Sequence, residues 1–315
     1  MPSSPITFGM CVEPGKLELQ AIIFAKALRT LGGSYAETPV VMVSPRAKPF
    51  TASAAATLNE LDCKLIVEDL NIDYRTYPLA NKPFAAAWIA EQLGSPLWFF
   101  DCDTFVTSDL APVAELLNEE TDAILRCVWP GGFKDIGSYG PGDPKDAWWK
   151  AAYNLCDAIH EPYTWAPWAQ RKIRGYWNSG VIISRDNALF TEWLRCFRLL
   201  KTSNLELTRP AYLEQVAVAV AMATTGMRSK SLPGVNVALE QISRIPPHEL
   251  HVVHYAGPGQ KHIFALDKDN KLAFAHSGIL DHPNGHTLLS LISDTLKLHN
   301  RAAVSVPFSK QHQRN

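Results

Sequence analysis

The sequence predicts an α/β fold, namely a Rossmann-like domain with a mostly parallel central sheet and flanking helices. Over the first hundred residues, short apolar runs alternate with stretches of helical spacing, which is typical of successive βαβ units. The run Leu97–Phe100 is apolar at every position, as expected for a strand buried on both faces of a parallel sheet. With 315 residues, 47% of them hydrophobic, the chain is long enough for one large domain.

The first half of the chain supplies the predicted strands and helices in alternation. The helix over 17–31 has apolar residues at helical spacing, and Gly32-Gly33 ends it. No Gly-x-Gly-x-x-Gly follows the first strand and no Gly-x-x-x-x-Gly-Lys-Ser/Thr occurs, which argues against a dinucleotide cofactor and a P-loop enzyme. The predicted strands cover 6–12, 39–43, 64–67 and 97–101, and the predicted helices cover 17–31, 52–61 and 83–93.

The second half is less regular. Six of the nine tryptophans lie between Trp129 and Trp177, among glycines and prolines. We expect this insertion to form a lid or part of an acceptor surface, with two or three of the six facing a ligand. After it, Asn178-Ser179-Gly180 is predicted as a turn before a short buried strand. Two further strands are predicted, over 121–128 and 251–257. Further helices are predicted over 109–117, 189–200 and 286–299, and another is predicted to start at Pro210.

Composition excludes several classes of protein. The formal net charge of −1 gives no electrostatic footprint for nucleic acid. The six cysteines are scattered without a Cys-x-x-Cys pair, which is typical of buried thiols in a reducing compartment and not of a zinc site. No signal-peptide pattern occurs in residues 1–12, and no apolar run approaches the ~18 residues of a membrane span. We therefore expect a soluble, cytoplasmic protein.

The chemistry is predicted to centre on Asp101 and Asp103, which follow the apolar run. If the strand continued, both carboxylates would be buried in apolar surroundings without a partner, at high cost. A strand that ends at Asp101, with a turn at Cys102, would instead point both carboxylates into the crevice where ligands of open α/β sheets bind. Two such oxygen ligands suit Mn²⁺ or Mg²⁺, and the cation suits phosphate oxygens. The alternative is a solvated turn without a ligand.

Three other polar residues are candidates on weaker grounds. Glu214 and Gln215 are the strongly polar residues of an otherwise apolar helix. The carboxylate of Glu214 would also be favourable at a helix N-terminus without any catalytic role, and Gln215 could be a satisfied amide. His254 lies on a predicted apolar strand, where a packed histidine is the alternative to a metal ligand.

The ordered motifs resemble a known family. An apolar strand with Asp-x-Asp-Thr-x-Val is followed by Asn-Ser-Gly-Val-Ile-Ile, by Glu-Gln in a helix, and by His-x-x-Gly with a lysine nearby. This set, within residues 1–262, is similar to GT-A-fold glycosyltransferases, and most similar to glycosyltransferase family 8, the glycogenin-like and lipopolysaccharide galactosyltransferase-like enzymes. The resemblance implies transfer of a sugar from a nucleotide-sugar donor, usually a UDP-sugar held through Mn²⁺, to a carbohydrate or other hydroxyl acceptor.

The resemblance also implies roles for individual residues. The metal would be held by Asp103 and His254, and Asp101 would contact the metal or the ribose. Lys82 and Gly257 would lie in the donor site, and Lys261 would hold the diphosphate. Asn178 would lie near the transferred sugar, and Gln215 beside its reacting face in retaining members.

Two positions depart from the family pattern. The lysine follows Gly257 by four residues instead of three, since Gln260 occupies the usual position. Glu214-Gln215 stands where Asp-Gln is usual. We expect retention of configuration with Gln215 at the reacting face. Inversion with Glu214 as general base is the alternative.

Other functions fit the motifs less well. A haloacid-dehalogenase-type phosphatase would need Thr or Val where Phe105 stands, and a nucleotidyltransferase would need a glycine-rich basic loop after the first strand. A non-catalytic nucleotide-sugar-binding protein stays an alternative. The sequence does not specify the sugar, the acceptor or the oligomeric state. We expect one GT-A-type domain over 1–300, with a nucleotide-binding half over 1–128, the aromatic insertion over 129–177, an acceptor- and metal-completing half over 178–300, and a tail over 301–315.

Overall fold

The computed structural model describes residues 6–128, 136–166, 170–205, 212–256 and 278–302. These ranges contain twelve strands and eight α-helices. The strands are β1 (Thr7–Cys11), β2 (Val40–Ser44), β3 (Cys63–Val67), β4 (Leu97–Phe100), β5 (Thr104–Val106), β6 (Ala123–Cys127), β7 (Tyr163–Ala166), β8 (Arg171–Arg174), β9 (Trp177–Ser184), β10 (Ser229–Lys230), β11 (Val237–Ala238) and β12 (Val252–His254). The helices are α1 (Lys16–Leu31), α2 (Ala52–Glu60), α3 (Asn81–Gln92), α4 (Ala111–Ala114), α5 (Asp146–Leu155), α6 (Ala188–Thr202), α7 (Leu213–Thr225) and α8 (Gly285–Ala302).

A seven-stranded sheet forms the centre of the fold. Its strands lie in the order β10-β6-β9-β4-β1-β2-β3. Neighbours are parallel except where β9 pairs antiparallel with β4 and β6. The predicted α/β fold with a mostly parallel sheet is confirmed.

The apolar run of β4 is explained by the two cores on either side of this sheet. Leu97 and Phe99 pack into the core beneath α3, α5, α6 and α7. Trp98 and Phe100 point the other way, into the core beneath α1 and α2. Because successive residues of a strand alternate between faces, a strand covered on both sides must be apolar at every position. Full burial of each such side chain contributes ~1.5–3 kcal/mol.

One predicted turn is wrong. Asn178-Ser179-Gly180 lies inside β9 and does not precede it. The strand continues because both of its neighbours supply partners there: Gly180 accepts a hydrogen bond from the Asp101 N–H at 2.7 Å, and Trp177 pairs with Cys127 beyond a shift in register. The polar side chains of this segment are therefore held at the carboxyl end of β4.

A second, three-stranded sheet in the order β11-β12-β5 lies next to this end of β4. Its strand β12 runs antiparallel to β5, with His254 opposite Thr104. Helix α8 packs on a third core beneath this sheet, in agreement with the predicted terminal helix. No helix in the described ranges is long and apolar enough to cross a membrane. The predicted helix start at Pro210 and the residues after Ala302 lie outside the described residues.

Candidate active site

The two carboxylates lie in the turn between β4 and β5. Asp101 follows the last residue of β4, and β5 begins at Thr104, directly after Asp103. The Thr104 hydroxyl donates to the Asp101 carbonyl at 2.7 Å and closes the turn. The predicted end of the strand at the Asp-x-Asp motif is therefore confirmed, and both side chains leave the sheet at its carboxyl end.

His254 reaches these carboxylates from the neighbouring sheet. Its Nε2 lies 3.2 Å from Oδ1 of Asp103 and 3.8 Å from Oδ2 of Asp101. One potential ligand atom from each of the three residues lies within 4.8 Å of the others. The pairing of β12 with β5 brings together residues that are about 150 positions apart in the sequence.

A network of amides fixes the tautomer of His254. The backbone N–H of Gly180 donates to Asn178 Oδ1 at 2.8 Å, so this oxygen is an acceptor. Asn236 must therefore present its Nδ2 to Asn178, at 3.0 Å, and its Oδ1 to Nδ1 of His254, at 2.8 Å. Hydrogen bonding thus places the proton of a neutral His254 on Nδ1 and leaves Nε2 unprotonated. That nitrogen faces the carboxylate of Asp103.

This arrangement fits a divalent cation. A nitrogen lone pair and two carboxylates that converge on one point repel each other unless a proton or cation lies between them. Two hard oxygen ligands and an imidazole whose other nitrogen is hydrogen-bonded are a suitable set for Mn²⁺ or Mg²⁺. Gly180 keeps the space open, because a Cβ there would lie 2.2 Å from Cε1 of the His254 ring.

Lys82, in the first turn of α3, supplies a positive charge to the site. Its Nζ lies 2.5 Å from Oδ2 of Asp101 and 3.5 Å from Ser179 Oγ. Burial raises the pKa of Asp101, and the Lys82 ammonium opposes that shift. Burial by itself would lower the pKa of Lys82, but the charges of Asp101 and Glu214 outweigh it and raise this pKa. The lysine is therefore held in its charged form between two carboxylates.

Glu214 lies in the first turn of α7 and is buried. Its Oε2 accepts a hydrogen bond from the Tyr77 hydroxyl at 2.8 Å, and its Oε1 lies 3.5 Å from the Ser179 hydroxyl. Burial raises the pKa of Glu214, and the charge of Lys82 opposes this. A buried carboxyl of raised pKa is typical of structural pairs as well as of general bases.

Gln215 points in a different direction from its neighbour. Its Oε1 accepts from Nδ2 of Asn178 at 3.2 Å, and its Nε2 donates to the Tyr176 hydroxyl at 2.5 Å. A continuous chain of hydrogen bonds therefore connects Gln215 through Asn178 and Asn236 to His254. The two adjacent side chains face different groups because an α-helix turns about 100° per residue.

The tryptophans of the 129–177 segment have different environments. Trp149 and Trp177 are fully buried and belong to the core beneath α5 and α7. Trp148 is half-buried, and Trp165 on β7 is 55% exposed. The other two tryptophans of the segment lie outside the described residues. Trp165 is thus the most accessible candidate for an acceptor contact among the four that the structure describes.

Sequence reasoning missed several residues of this site. Gly257 and Lys261 fall outside the described residues, and their proposed roles stay predictions. Asn236, which orients His254, was not anticipated. It precedes β11 with a φ of 61°, a left-handed conformation that asparagine tolerates better than most residues. An isolated asparagine in a loop carries no sequence signal for this role. Other missed contacts come from Tyr77, Tyr176 and Ser179.

A protein-family model matches most of the chain. The model described as the Rhodobacterales glycosyltransferase domain matches residues 8–226. This range includes both carboxylates, Lys82 and the two polar residues of α7, and it ends before His254. No curated protein matches the chain in sequence.

Comparison with solved structures identifies glycosyltransferases of low sequence identity. The galactosyltransferase LgtC, solved with donor and acceptor sugar analogues, is 13% identical with a TM-score of 0.50, over 96% of this chain and 98% of LgtC. Mouse xyloside xylosyltransferase 1 is 10% identical with a TM-score of 0.47, over 79% of this chain and 97% of the mouse protein. The bifunctional glycosyltransferase WbbM is 12% identical with a TM-score of 0.47, over 92% of this chain and about half (51%) of WbbM. The likeness to LgtC supports the GT-A fold.

Proposed function

The chain belongs to the Rhodobacterales glycosyltransferase domain family and is a GT-A-fold glycosyltransferase similar to glycosyltransferase family 8, and from this premise we propose that it transfers a sugar from a UDP-sugar to a hydroxyl acceptor with a divalent cation. The observation that carries the proposal is the convergence of Asp101, Asp103 and Nε2 of His254 at the carboxyl end of β4. Ligands of open α/β sheets bind at such an edge.

The three converging residues would hold Mn²⁺ or Mg²⁺. When bound, the cation neutralises the negative charge that develops on the diphosphate as the sugar leaves, without a proton transfer. The Asn236 side chain would keep the His254 ring oriented toward the ion. Lys82 would contribute a further positive charge beside Asp101. Gly257 and Lys261 are proposed to complete the donor site.

In the proposed reaction, the oxygen of the acceptor hydroxyl bonds to the anomeric carbon of the donor sugar. The bond from that carbon to the diphosphate oxygen breaks, and its electron pair leaves with the nucleoside diphosphate. The proton of the acceptor hydroxyl passes to an oxygen of the departing diphosphate. We assign Asn178 and Gln215 to the reacting face of the sugar, with retention of configuration. Their hydrogen bond to each other and the link through Asn236 to His254 keep both amides beside the ligand set.

The alternative is inversion with Glu214 as general base, which would take the hydroxyl proton. Burial raises the pKa of Glu214 and makes its carboxylate a stronger base. Its hydrogen bond from Tyr77 and the nearby charge of Lys82, however, already account for the carboxylate as a buried, compensated charge. This is why we favour Gln215.

Binding of UDP with and without Mn²⁺ tests the donor and metal assignments. A ligand that binds only the native state at 100 times its Kd stabilises the fold by about 2.7 kcal/mol, so the melting temperature is expected to rise with UDP plus Mn²⁺. Asp103→Ala should abolish the Mn²⁺-dependent part of the shift. The matched control is Asp73→Ala, which removes an exposed carboxylate from the connection after β3. Equal Mn²⁺-dependent shifts in both variants would contradict the metal site.

Stereochemistry can be measured without knowing the acceptor. Slow hydrolysis of the donor by water releases a free sugar, and NMR identifies its anomer before mutarotation. We expect the configuration of the donor to be retained and the rate to fall in Gln215→Ala. An inverted product, lost in Glu214→Gln and kept in Gln215→Ala, would establish the alternative instead.

A further inference from the structure

A cleft of about 770 Å³ opens beside the candidate metal site. Asn178, Asn236 and His254 contribute to its lining, so it adjoins the position of the transferred sugar in the proposed reaction. The rest of the lining includes Arg126 in β6 and polar residues of the 3₁₀ segment Leu239–Arg244. The volume lies within the ~300–1,000 Å³ of typical small-molecule pockets.

Arg126 is a half-buried cation without a carboxylate counterion. Its guanidinium donates to the Asn236 carbonyl at 2.7 Å and to the side-chain oxygen of Gln241. Among the described residues, no carboxylate lies within ion-pair distance of it, although the charge of Glu240 acts on it from further away. Burial lowers the pKa of Arg126, which reflects the cost of removing this charge from water. A buried charge that is satisfied only by neutral oxygens leaves room for an anionic partner.

Arg244 adds a second guanidinium to the same cleft. It is exposed at the end of the 3₁₀ segment, and no ion pair involves it within the ranges that the structure describes. Glu240 is the acidic residue of this lining, so the cleft is lined by two guanidiniums and one carboxylate. The lining therefore carries a net positive charge, although the whole chain is close to neutral.

We propose that this cleft is the acceptor site and that the acceptor is an acidic saccharide, whose carboxylate or phosphate is bound by Arg126 and Arg244. The proposal rests on the proposed glycosyltransferase function and adds the chemical class of the acceptor. A guanidinium presents paired N–H donors that match the two oxygens of a carboxylate or phosphate, which a neutral sugar hydroxyl does not. Asn178 would then lie between the anion-binding wall and the reacting carbon.

Binding to paired glycans, with UDP and Mn²⁺ present, tests this proposal. The probes are array glycans that end in a neutral hexose, in the corresponding uronic acid, or in the corresponding hexose phosphate. We expect acidic glycans to bind and their neutral partners to bind at least several-fold more weakly. A preference for uronic acids identifies a carboxylate as the ligand, and a preference for phosphates identifies a phosphate.

Arg244→Gln is the first variant, because the side chain is exposed and its loss should leave the fold intact. Its affinity for acidic glycans should fall about three- to tenfold, as expected for one partly exposed charge pair. Affinity for any neutral glycan should not change. Arg244→Lys, which keeps the charge, should recover part of the loss. The control is Lys64→Gln, which removes one exposed positive charge from β3 at the opposite edge of the central sheet.

Two outcomes would overturn the inference: equal binding of neutral and acidic glycans, or binding of neither class by protein that still binds UDP with Mn²⁺. An acidic preference that Arg244→Gln and Lys64→Gln reduce equally would also overturn it, since that result reflects net charge alone. Loss of Mn²⁺-dependent UDP binding in the wild-type protein would instead contradict the proposed function. The two failures are therefore distinguishable.

Discussion

Asn236 offers the sharpest test of the candidate metal site, because its side chain orients His254 without being a metal ligand itself. The most informative change is Asn236→Gly. The backbone at this position is left-handed, with a φ of 61°, and glycine adopts that conformation without strain. The substitution therefore removes the amide and leaves the path of the chain unchanged. It deletes the 2.8 Å hydrogen bond to Nδ1 of His254 and the 3.0 Å bond to Asn178.

The expected magnitude follows from these contacts. Loss of the hydrogen-bond partner of a metal-bound histidine typically weakens metal binding by about 10- to 100-fold. This corresponds to about 1.4–2.7 kcal/mol, the range expected when a buried N–H loses its acceptor. We therefore expect the Kd for Mn²⁺, in the presence of UDP, to rise 10- to 100-fold. Asn236→Asp keeps the acceptor for His254 but loses the donor to Asn178, so it should weaken binding less.

The assay is a titration of Mn²⁺ followed by its electron paramagnetic resonance signal, at saturating UDP. The control is Asp62→Gly, which removes an exposed side chain from another left-handed position, after α2. Asp62→Gly should unfold at a temperature close to that of the wild type, whereas Asn236→Gly should unfold at a lower one, because the buried His254 N–H loses its acceptor. If Asn236→Gly binds Mn²⁺ within about twofold of the control, the assigned tautomer of His254 is wrong.

Three further predictions concern other positions of the chain. Gly180→Ala should remove Mn²⁺ binding and lower the free energy of unfolding by about 1–3 kcal/mol, because the new methyl group would overlap the His254 ring. Calorimetry with and without Mn²⁺ would show both effects, and retained Mn²⁺ binding would contradict this packing. Trp165→Ala should raise the KM for the acceptor and leave UDP affinity unchanged, since this tryptophan is 55% exposed on the β7–β8 hairpin. A weaker affinity for UDP with an unchanged KM for the acceptor would place the side chain at the donor. Partial burial alone would raise the pKa of Asp122, but hydrogen bonds from Arg228 outweigh it and lower this pKa. The stabilisation by Asp122 is therefore present above the unfolded pKa of about 3.9 and is lost as the pH falls through the lower folded value. In urea titrations, Asp122→Asn should lower the free energy of unfolding by about 0.5–1 kcal/mol at pH 7 and by progressively less below pH 4. A loss that does not depend on pH would refute this.

Local sequence patterns determined most of the fold. The predicted strands and helices of the first hundred residues agree with the structure to within about two residues, because each apolar run or helical stripe reports its own burial. The end of β4 at Asp101 was also predictable, since a carboxylate in the sheet interior would lack a partner. The turn expected at 178–180 was wrong for the converse reason. Polar residues can continue a strand when neighbouring elements supply their hydrogen bonds, and those elements are distant in sequence.

The chemical environment of the site was decided only by the tertiary structure. Sequence alone identified Asp101, Asp103 and His254 as metal-ligand candidates. It contained no information on which nitrogen of His254 carries the proton, since that depends on Asn236 and Asn178, which come from two other elements. Likewise, Glu214 and Gln215 are adjacent in the chain, but their different partners are set by the packing of α7 against β9 and by Tyr77, which precedes α3. Hydrogen bonds and charge pairs act over a few ångströms in space, so contacts between residues about 20 to 180 positions apart appear only once the chain has folded.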